Sequence, residues 1–184
     1  MDNYPKHLTP PKDEFGAVDL NKFPEWWASA KEHFSSVPEN TAQFWIHENW
    51  GRSPYRYLRS KNYKFERVQW PSERLFELRT EWGNFDATLR ENIEDGDYTC
   101  HNDELGEIHE LPRYMMDNRS FPQPIVILDN RDGHLKREYR GAADVPAGYI
   151  LIEGHKRLNI AAYLQTTGKF GSTFDAWLMT KIPA

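Results

Sequence analysis

The sequence predicts an α+β fold, in which a small mixed sheet with helices follows an aromatic-rich helical N-terminal region. Two continuous apolar runs of strand length, residues 125–128 and 149–152, are typical of strands buried on both faces. The second run is followed almost at once by a predicted helix, residues 154–165, whose apolar side chains recur at helical spacing. We therefore divide the chain into residues 1–65, either a separate module or a cover for the same core, and residues 66–184, the α+β region.

The composition indicates a folded globular protein. The chain has 184 residues, which is enough to bury a substantial core. Apolar residues make up only 39% of it, but aromatic residues make up 14%, with seven Trp, and large rings bury much area per residue. The formal net charge of −5 argues against sequence-independent nucleic-acid binding, which needs a surplus of Lys and Arg.

The sequence also bears on localisation. The single cysteine, Cys100, cannot form an internal disulfide, which suits a reducing cytoplasm. Residues 1–19 contain no apolar run of the signal-peptide type, and no stretch approaches the length of a membrane span. We therefore expect a cytoplasmic protein without a membrane partner.

The N-terminal region predicts two helices. Residues 1–22 contain three prolines and a glycine among charged residues, which predicts an extended or mobile lead-in. Pro24 suits the first position of a helix, which Pro38 ends. A second helix covers residues 40–48, with two aromatic residues facing inward, Phe44 and Trp45. The tryptophans of this region belong either to the core or to an exposed interaction patch: Trp26, Trp27, Trp45 and Trp50.

Two stretches of opposite charge follow. Residues 51–79 carry eight Lys or Arg and three acids. Their tyrosine-rich part, residues 52–67, is either a half-buried irregular segment or a surface that stacks on single-stranded nucleic acid. Residues 91–110 carry eight acids and no Lys or Arg, which predicts either a solvated acidic loop or a surface that contacts a basic protein partner.

The remaining elements are predicted from local signals. Residues 68–71 form a strand, and Ser72 caps a helix whose apolar residues are Leu75, Leu78 and Trp82. Asn84 starts a further helix, in which Phe85, Leu89 and Ile93 recur every four residues. Gly168 ends the C-terminal helix, and residues 174–180 form the last strand.

The sharpest feature for function is the passage from the strand 149–152 through Glu153 and Gly154 into a helix. Glycine allows a tight turn and a close approach of the backbone to a ligand. The first amides of a helix and its dipole attract anions, and Lys156 and Arg157 add two cations at the same end. The alternative is that these two cations are solvated or paired with Glu153.

This passage resembles the phosphate-binding turn of the ParB/sulfiredoxin superfamily, in which a strand runs into Gly-Glu-Arg-Arg or Gly-Cys-His-Arg. Residues 154–157 read Gly-His-Lys-Arg and a helix with small residues follows. Upstream, Ser-Phe-Pro-Gln-Pro-Ile at residues 120–125 resembles the family's Gly-Leu-x-Gln-Pro-Ile stretch. The resemblance covers roughly residues 108–182. It implies a nucleotide whose phosphates lie on residues 154–157 and whose pocket includes Gln123.

His155 departs from both family patterns, since partition proteins keep an acidic residue there and sulfiredoxins keep the reactive cysteine. The departure argues against cytidine-triphosphate hydrolysis and against sulfiredoxin chemistry. In the roles that the resemblance implies, Lys156 and Arg157 neutralise phosphate charge. His155 donates to a phosphate oxygen or acts as an acid and base. Glu153 holds a magnesium ion or orients His155, unless it is an ordinary strand-end carboxylate.

Two functions follow as hypotheses. The first is a protein that binds a nucleotide or another phosphorylated ligand with magnesium at residues 154–157, with metal-assisted phosphoryl transfer or phosphodiester hydrolysis as its activity. The second is a catalytically inactive binding protein of the immunity, antitoxin or regulatory type, which engages a basic protein partner through residues 91–110.

Overall fold

The computed structural model describes residues 1–81, 89–101, 109–136 and 145–183. Helices and a five-stranded mixed sheet confirm the predicted α+β class. The chain divides into two compact units. Unit 1 comprises Met1–Phe65 with Thr180–Ala184, and unit 2 comprises Glu66–Met179.

Unit 1 is built from short helical pieces. Helix α1 (Phe23–Ala30) has a proline in its first turn, and it continues into a 3₁₀ helix, Lys31–Phe34. Helix α2 (Glu39–Thr41) continues into a π-helical turn, Ala42–His47. Three further 3₁₀ helices complete the unit: Lys6–Leu8, Leu20–Lys22 and Ser60–Asn62.

The core of unit 1 is aromatic, and the tryptophans supply much of it. Trp26, Trp45 and Trp50 are buried, whereas Trp27 is half-buried. The Trp26 indole N–H donates to the carbonyl of Leu8 at 2.8 Å, so a buried ring also has its polar atom satisfied. The core interpretation therefore holds for the three buried tryptophans.

The prediction of an extended or mobile lead-in over residues 1–22 is wrong. Leu8 is buried and accepts the Trp26 hydrogen bond, and Lys12 pairs with Val18 in an antiparallel bridge. Proline and glycine marked turns here, and the turns are held by contacts that local sequence signals do not reveal.

The sheet has the strand order β1-β5-β3-β4-β2. Strand β3 (Ile125–Asp129) is at its centre, antiparallel to β4 (Tyr149–Glu153) and parallel to β5 (Thr173–Lys181). Strand β2 (Leu78–Arg79) pairs in parallel with β4, and β1 (Tyr63–Pro71) lies next to β5. The continuous apolar runs at β3 and β4 are buried as predicted, and side chains of both strands share a core with side chains of α4 and α5.

The described part of unit 2 contains three α-helices besides the 3₁₀ helix Ser72–Glu77. They are α3 (Leu89–His101), α4 (Glu110–Asn118) and α5 (His155–Thr166). Helix α5 packs against both of the others. The shared core consists of strand and helix side chains that include Trp70, Leu75, Met115, Ile125, Ile127, Leu151, Leu158 and Leu164.

Two predictions for this unit need correction. The helix from Ser72 is a short 3₁₀ helix, Ser72–Glu77, and Leu78 begins β2 instead of continuing a helix. Residues 91–101 form most of α3, so the solvated acidic loop is wrong there. Leu89 and Ile93 of the helix predicted from Asn84 are helical, since both lie in α3. Trp82, Asn84 and Phe85, and residues 102–108 of the acidic stretch, lie outside the described residues.

Candidate phosphate-binding turn

Gly154 forms the turn between β4 and α5. Its φ of 106° lies in the region that favours glycine. A Cβ built on Gly154 would lie 2.6 Å from Cγ2 of Ile125, at the start of the central strand. The turn thus depends on glycine twice, for its backbone conformation and for its close contact with β3.

Arg157 is buried and binds the protein itself. Its Nη1 donates to the carbonyl of Gln123 at 2.7 Å and to that of Pro124 at 3.1 Å, and its Nη2 donates to the Glu153 carboxylate. The Arg157 side chain is only 7% exposed. One guanidinium therefore joins the start of β3, the end of β4 and the first turn of α5.

Three of the predicted site residues, Gln123, Glu153 and Arg157, are in contact, but their contacts differ from those that the resemblance implies. Glu153 pairs with Arg157, which is one of the two alternatives that the sequence left open. The Gln123 backbone carbonyl accepts a hydrogen bond from Arg157, and Gln123 itself is half-buried. The ligand-binding roles of these residues stay predictions.

His155 is the first residue of α5 and is half-buried, with its Nε2 atom inaccessible to solvent. Burial, together with the nearby Arg157 cation, lowers the pKa of His155 to about 4. The imidazole is therefore neutral at neutral pH. In that state it has one N–H donor and one acceptor nitrogen.

Lys156 is exposed at the N-terminus of α5. The first turn of this helix contains no acidic residue, although acids are the side chains that stabilise a helix N-terminus. Gly154 has no side chain with which to cap it. The turn thus combines backbone amides, the positive end of a helix dipole and one solvent-facing cation.

The residues of the turn do not fit a magnesium site. The Glu153 carboxylate already accepts from Arg157, and His155 offers nitrogen where magnesium prefers oxygen. Across residues 1–81, 89–101, 109–136 and 145–183, no group of three or more His, Cys, Asp or Glu could hold a metal ion. The magnesium expectation gains nothing from this geometry.

The basic stretch and the acidic helix α3 differ in how far their side chains are exposed to solvent. In the basic stretch, Tyr55, Tyr57 and Tyr63 are buried, so these rings do not offer faces to nucleic-acid bases. On α3, four acids face solvent together with Tyr98, which is 57% exposed. The exposed acids are Glu91, Glu94, Asp95 and Asp97.

The burial of Arg157 was not predicted from the sequence. The spacing of Glu153 and Arg157 (i, i+4) was a signal for an ion pair, but their environment depends on β3, which is 24 or more residues distant in sequence.

None of the helices within the described ranges is both long and apolar enough to span a membrane.

The comparisons with known proteins do not add a family to this geometry. No protein-family model matches the sequence, and no curated protein or solved structure is significantly similar to it.

Proposed function

We propose that this protein binds a phosphate-bearing ligand, a nucleotide, at the turn formed by residues 154–157. The observation that carries the proposal is the N-terminus of α5. A glycine with positive φ delivers a buried strand to a helix whose first turn carries Lys156 and no acid.

The backbone at the start of α5 favours a bound anion. The first amides of a helix have no intrahelical acceptor, and the helix dipole makes this end positive. Acidic side chains usually compensate for this, but α5 begins with His155, Lys156 and Arg157. A bound phosphate would supply the compensating charge and accept hydrogen bonds from the amides.

In this proposal Arg157 stabilises the turn instead of binding the ligand. Its guanidinium donates to the carbonyls of Gln123 and Pro124 and to Glu153, so it fixes the backbone without facing the ligand. Lys156 is then the cation that contacts the ligand, because it is exposed at the same helix end. This assignment differs from the roles that the family resemblance implies.

The proposal is binding rather than turnover. Because burial and Arg157 lower the pKa of His155 to about 4, its imidazole is mostly neutral near pH 7, and little of the protonated form that acts as a general acid is present. Glu153 is engaged with Arg157. Catalytic roles for His155 and Glu153 therefore stay predictions without added support.

The test is a ligand screen on the purified protein. Its melting temperature would be measured with CTP, ATP, GTP, ADP and inorganic phosphate, each with and without magnesium. A ligand at about a hundred times its Kd that binds only the folded state adds about 2.7 kcal/mol, which appears as a raised melting temperature. Calorimetry would then give the Kd of the ligand that raises it.

Charge reversal at the turn tests the location. Lys156→Glu should weaken the ligand by about tenfold or more, equivalent to about 1.4 kcal/mol of binding free energy. Lys169→Glu is the matched control, since Lys169 is also exposed in unit 2 and the net charge changes equally. Equal affinities of the two variants would remove the turn as the site, and no shift with any ligand would remove the function.

A second candidate is a binding protein for a basic partner, favoured by α3. This helix presents four acids and the exposed Tyr98 to solvent. Tyrosine is a frequent anchor at protein interfaces, and complementary charge accelerates association. A null result in the ligand screen would make this candidate the leading one.

A further inference from the structure

His47 is a fully buried histidine in the aromatic core of unit 1. The centroid of its ring lies 5.0 Å from that of Trp26 and 5.4 Å from that of Phe23, and both of these residues belong to α1. Neither nitrogen of the imidazole has a hydrogen-bond partner among the residues that the structure describes. The ring therefore packs in the core as an apolar group would.

A histidine is a destabilising choice for this position at neutral pH. A buried polar atom that has lost its hydrogen bonds to water and has found no partner lowers the stability of the fold. Trp45, in the same unit, avoids this loss, because its indole N–H donates to Oγ of Ser53 at 3.1 Å. A phenylalanine would keep the ring contacts of His47 and avoid the loss as well. What the imidazole adds is a group that gains a proton close to neutral pH.

The backbone at His47 has an uncommon geometry. His47 is the last residue of the π-helical turn Ala42–His47, which continues α2. Turns of this type are rare and occur frequently at functional sites. Burial, unpartnered ring nitrogens and this turn thus coincide at one residue, which indicates a role for His47 other than packing.

The charged residues near His47 do not offer an acceptor for a protonated ring. Burial lowers the pKa of His47, and Asp19, which is half-buried before α1, opposes this only in part. On α1, Glu25 is exposed and pairs with Lys22 at 3.0 Å, and on the turn itself the half-buried Glu48 follows His47. None of these three carboxylates accepts a hydrogen bond from the imidazole. Because an imidazolium has two N–H donors, a protonated ring in this core would leave both of them unsatisfied.

We propose that His47 is an acid-sensitive switch, which opens unit 1 when its ring is protonated. In the closed unit the ring is neutral and packs on Trp26 and Phe23. A proton adds a charge that is stable in water and not in this core, so the protonated ring leaves the core and the contacts between α1 and the π-helical turn are lost. Unit 2 has a core of its own and stays closed. This inference is independent of the nucleotide proposal, because His47 belongs to unit 1 and the turn at Gly154 to unit 2.

Opening should begin as the pH falls below about 6.5, the ordinary pKa of an exposed imidazole. Because burial lowers the pKa of His47 in the closed unit, the open unit takes up the proton first. The contribution of the neutral ring to stability is therefore complete above about pH 6.5 and is lost as the pH falls below it.

Amide hydrogen exchange of the full-length protein, followed by mass spectrometry, measures the opening of each unit separately. Protection factors, which correct for the pH dependence of intrinsic exchange, would be compared at two pH values, one above and one below the ordinary pKa of histidine. The peptides of interest cover residues 23–50 in unit 1 and strands β3 and β4 in unit 2. The variants are His47→Phe and His47→Gln, and His33→Phe is the matched control, since His33 is an exposed histidine of unit 1.

In wild type and His33→Phe, the protection of residues 23–50 should fall by about threefold or more between about pH 7.5 and 5.5. In His47→Phe and His47→Gln, whose side chains do not titrate, it should stay the same over this range. The change in β3 and β4, which includes the contribution of His155, should be equal in wild type and both His47 variants.

Equal losses of protection in residues 23–50 of wild type and both His47 variants overturn the proposal. A loss in wild type that is smaller than about threefold does so too, because the ring would then titrate without opening the unit. A His47-dependent loss that extends equally to β3 and β4 also overturns it, since the whole protein would then unfold as one.

Discussion

At the scale of single residues, Arg157 shows how one cation can serve the fold. Its guanidinium is buried and donates to two backbone carbonyls and one carboxylate. A planar group with several fixed donors suits this task better than an ammonium would. An arginine at a candidate phosphate site is thus explained by the architecture of the turn alone.

Replacing Arg157 tests this assignment. Arg157→Met leaves Glu153 partly buried without its cation and two carbonyls without their donor, so the free energy of unfolding should fall by about 3 kcal/mol or more. Urea denaturation followed by circular dichroism gives this free energy. Lys156→Met, at the exposed neighbouring position, should change it by less than about 0.5 kcal/mol. Equal stabilities of the two variants would contradict the structural role.

The residues of the candidate site could be located from the sequence, but their environments could not. Gly154 was identifiable because a buried strand, a glycine and a helix follow one another within a few residues. The burial of Arg157 could not be inferred, because its partners on Gln123 and Pro124 are distant in the chain. Local sequence patterns can locate a candidate turn, whereas tertiary contacts determine which of its cations are buried and which remain exposed.

At the scale of elements, the contact between α3 and α5 explains why a loop was wrongly predicted. The acids of α3 face solvent, while Gly96 and Cys100 are buried and Ile93 is half-buried. This spacing of about four residues is helical. The excess of acids suggested a solvated loop, but acids on one face are compatible with a helix that packs through the other. Strands β3 and β4, which have continuous apolar runs, presented no such ambiguity.

Gly96 is the residue that permits this helix contact. A Cβ built on it would lie 2.1 Å from the backbone carbonyl oxygen of Asn159 on α5, and a backbone atom cannot rotate away. Gly96→Ala should improve helix propensity by about 1 kcal/mol. The clash should cost about 1–3 kcal/mol, so we expect no net gain and a lower free energy of unfolding.

Urea denaturation of Gly96→Ala measures the balance of these two effects. Gly51→Ala is its control, because a Cβ at Gly51 would meet nothing within 4 Å and the stability should change little. A stabilised Gly96→Ala variant would mean that α3 can move away from α5 without loss.

At the scale of the whole molecule, each unit has its own core and each contains a histidine whose pKa burial lowers. In unit 1, His47 is fully buried, with ring centroids 5.0 Å from Trp26 and 5.4 Å from Phe23. Burial lowers the pKa of His47, and Asp19 opposes this in part. In unit 2, His155 is the corresponding group. Both units therefore favour neutral histidines.

The stability of the protein should consequently fall as the pH is lowered. Because the folded-state pKa of His155 is about 4 and the unfolded value is about 6.5, the unfolded chain takes up a proton first. The His155 contribution is thus complete above about pH 6.5 and should fall by about 2 kcal/mol by about pH 5. Urea denaturation at several pH values would measure it, with His155→Gln as the control, since glutamine stays neutral and should flatten the profile. If wild type and His155→Gln lost stability equally over this range, His155 would not be a buried neutral group in the folded protein.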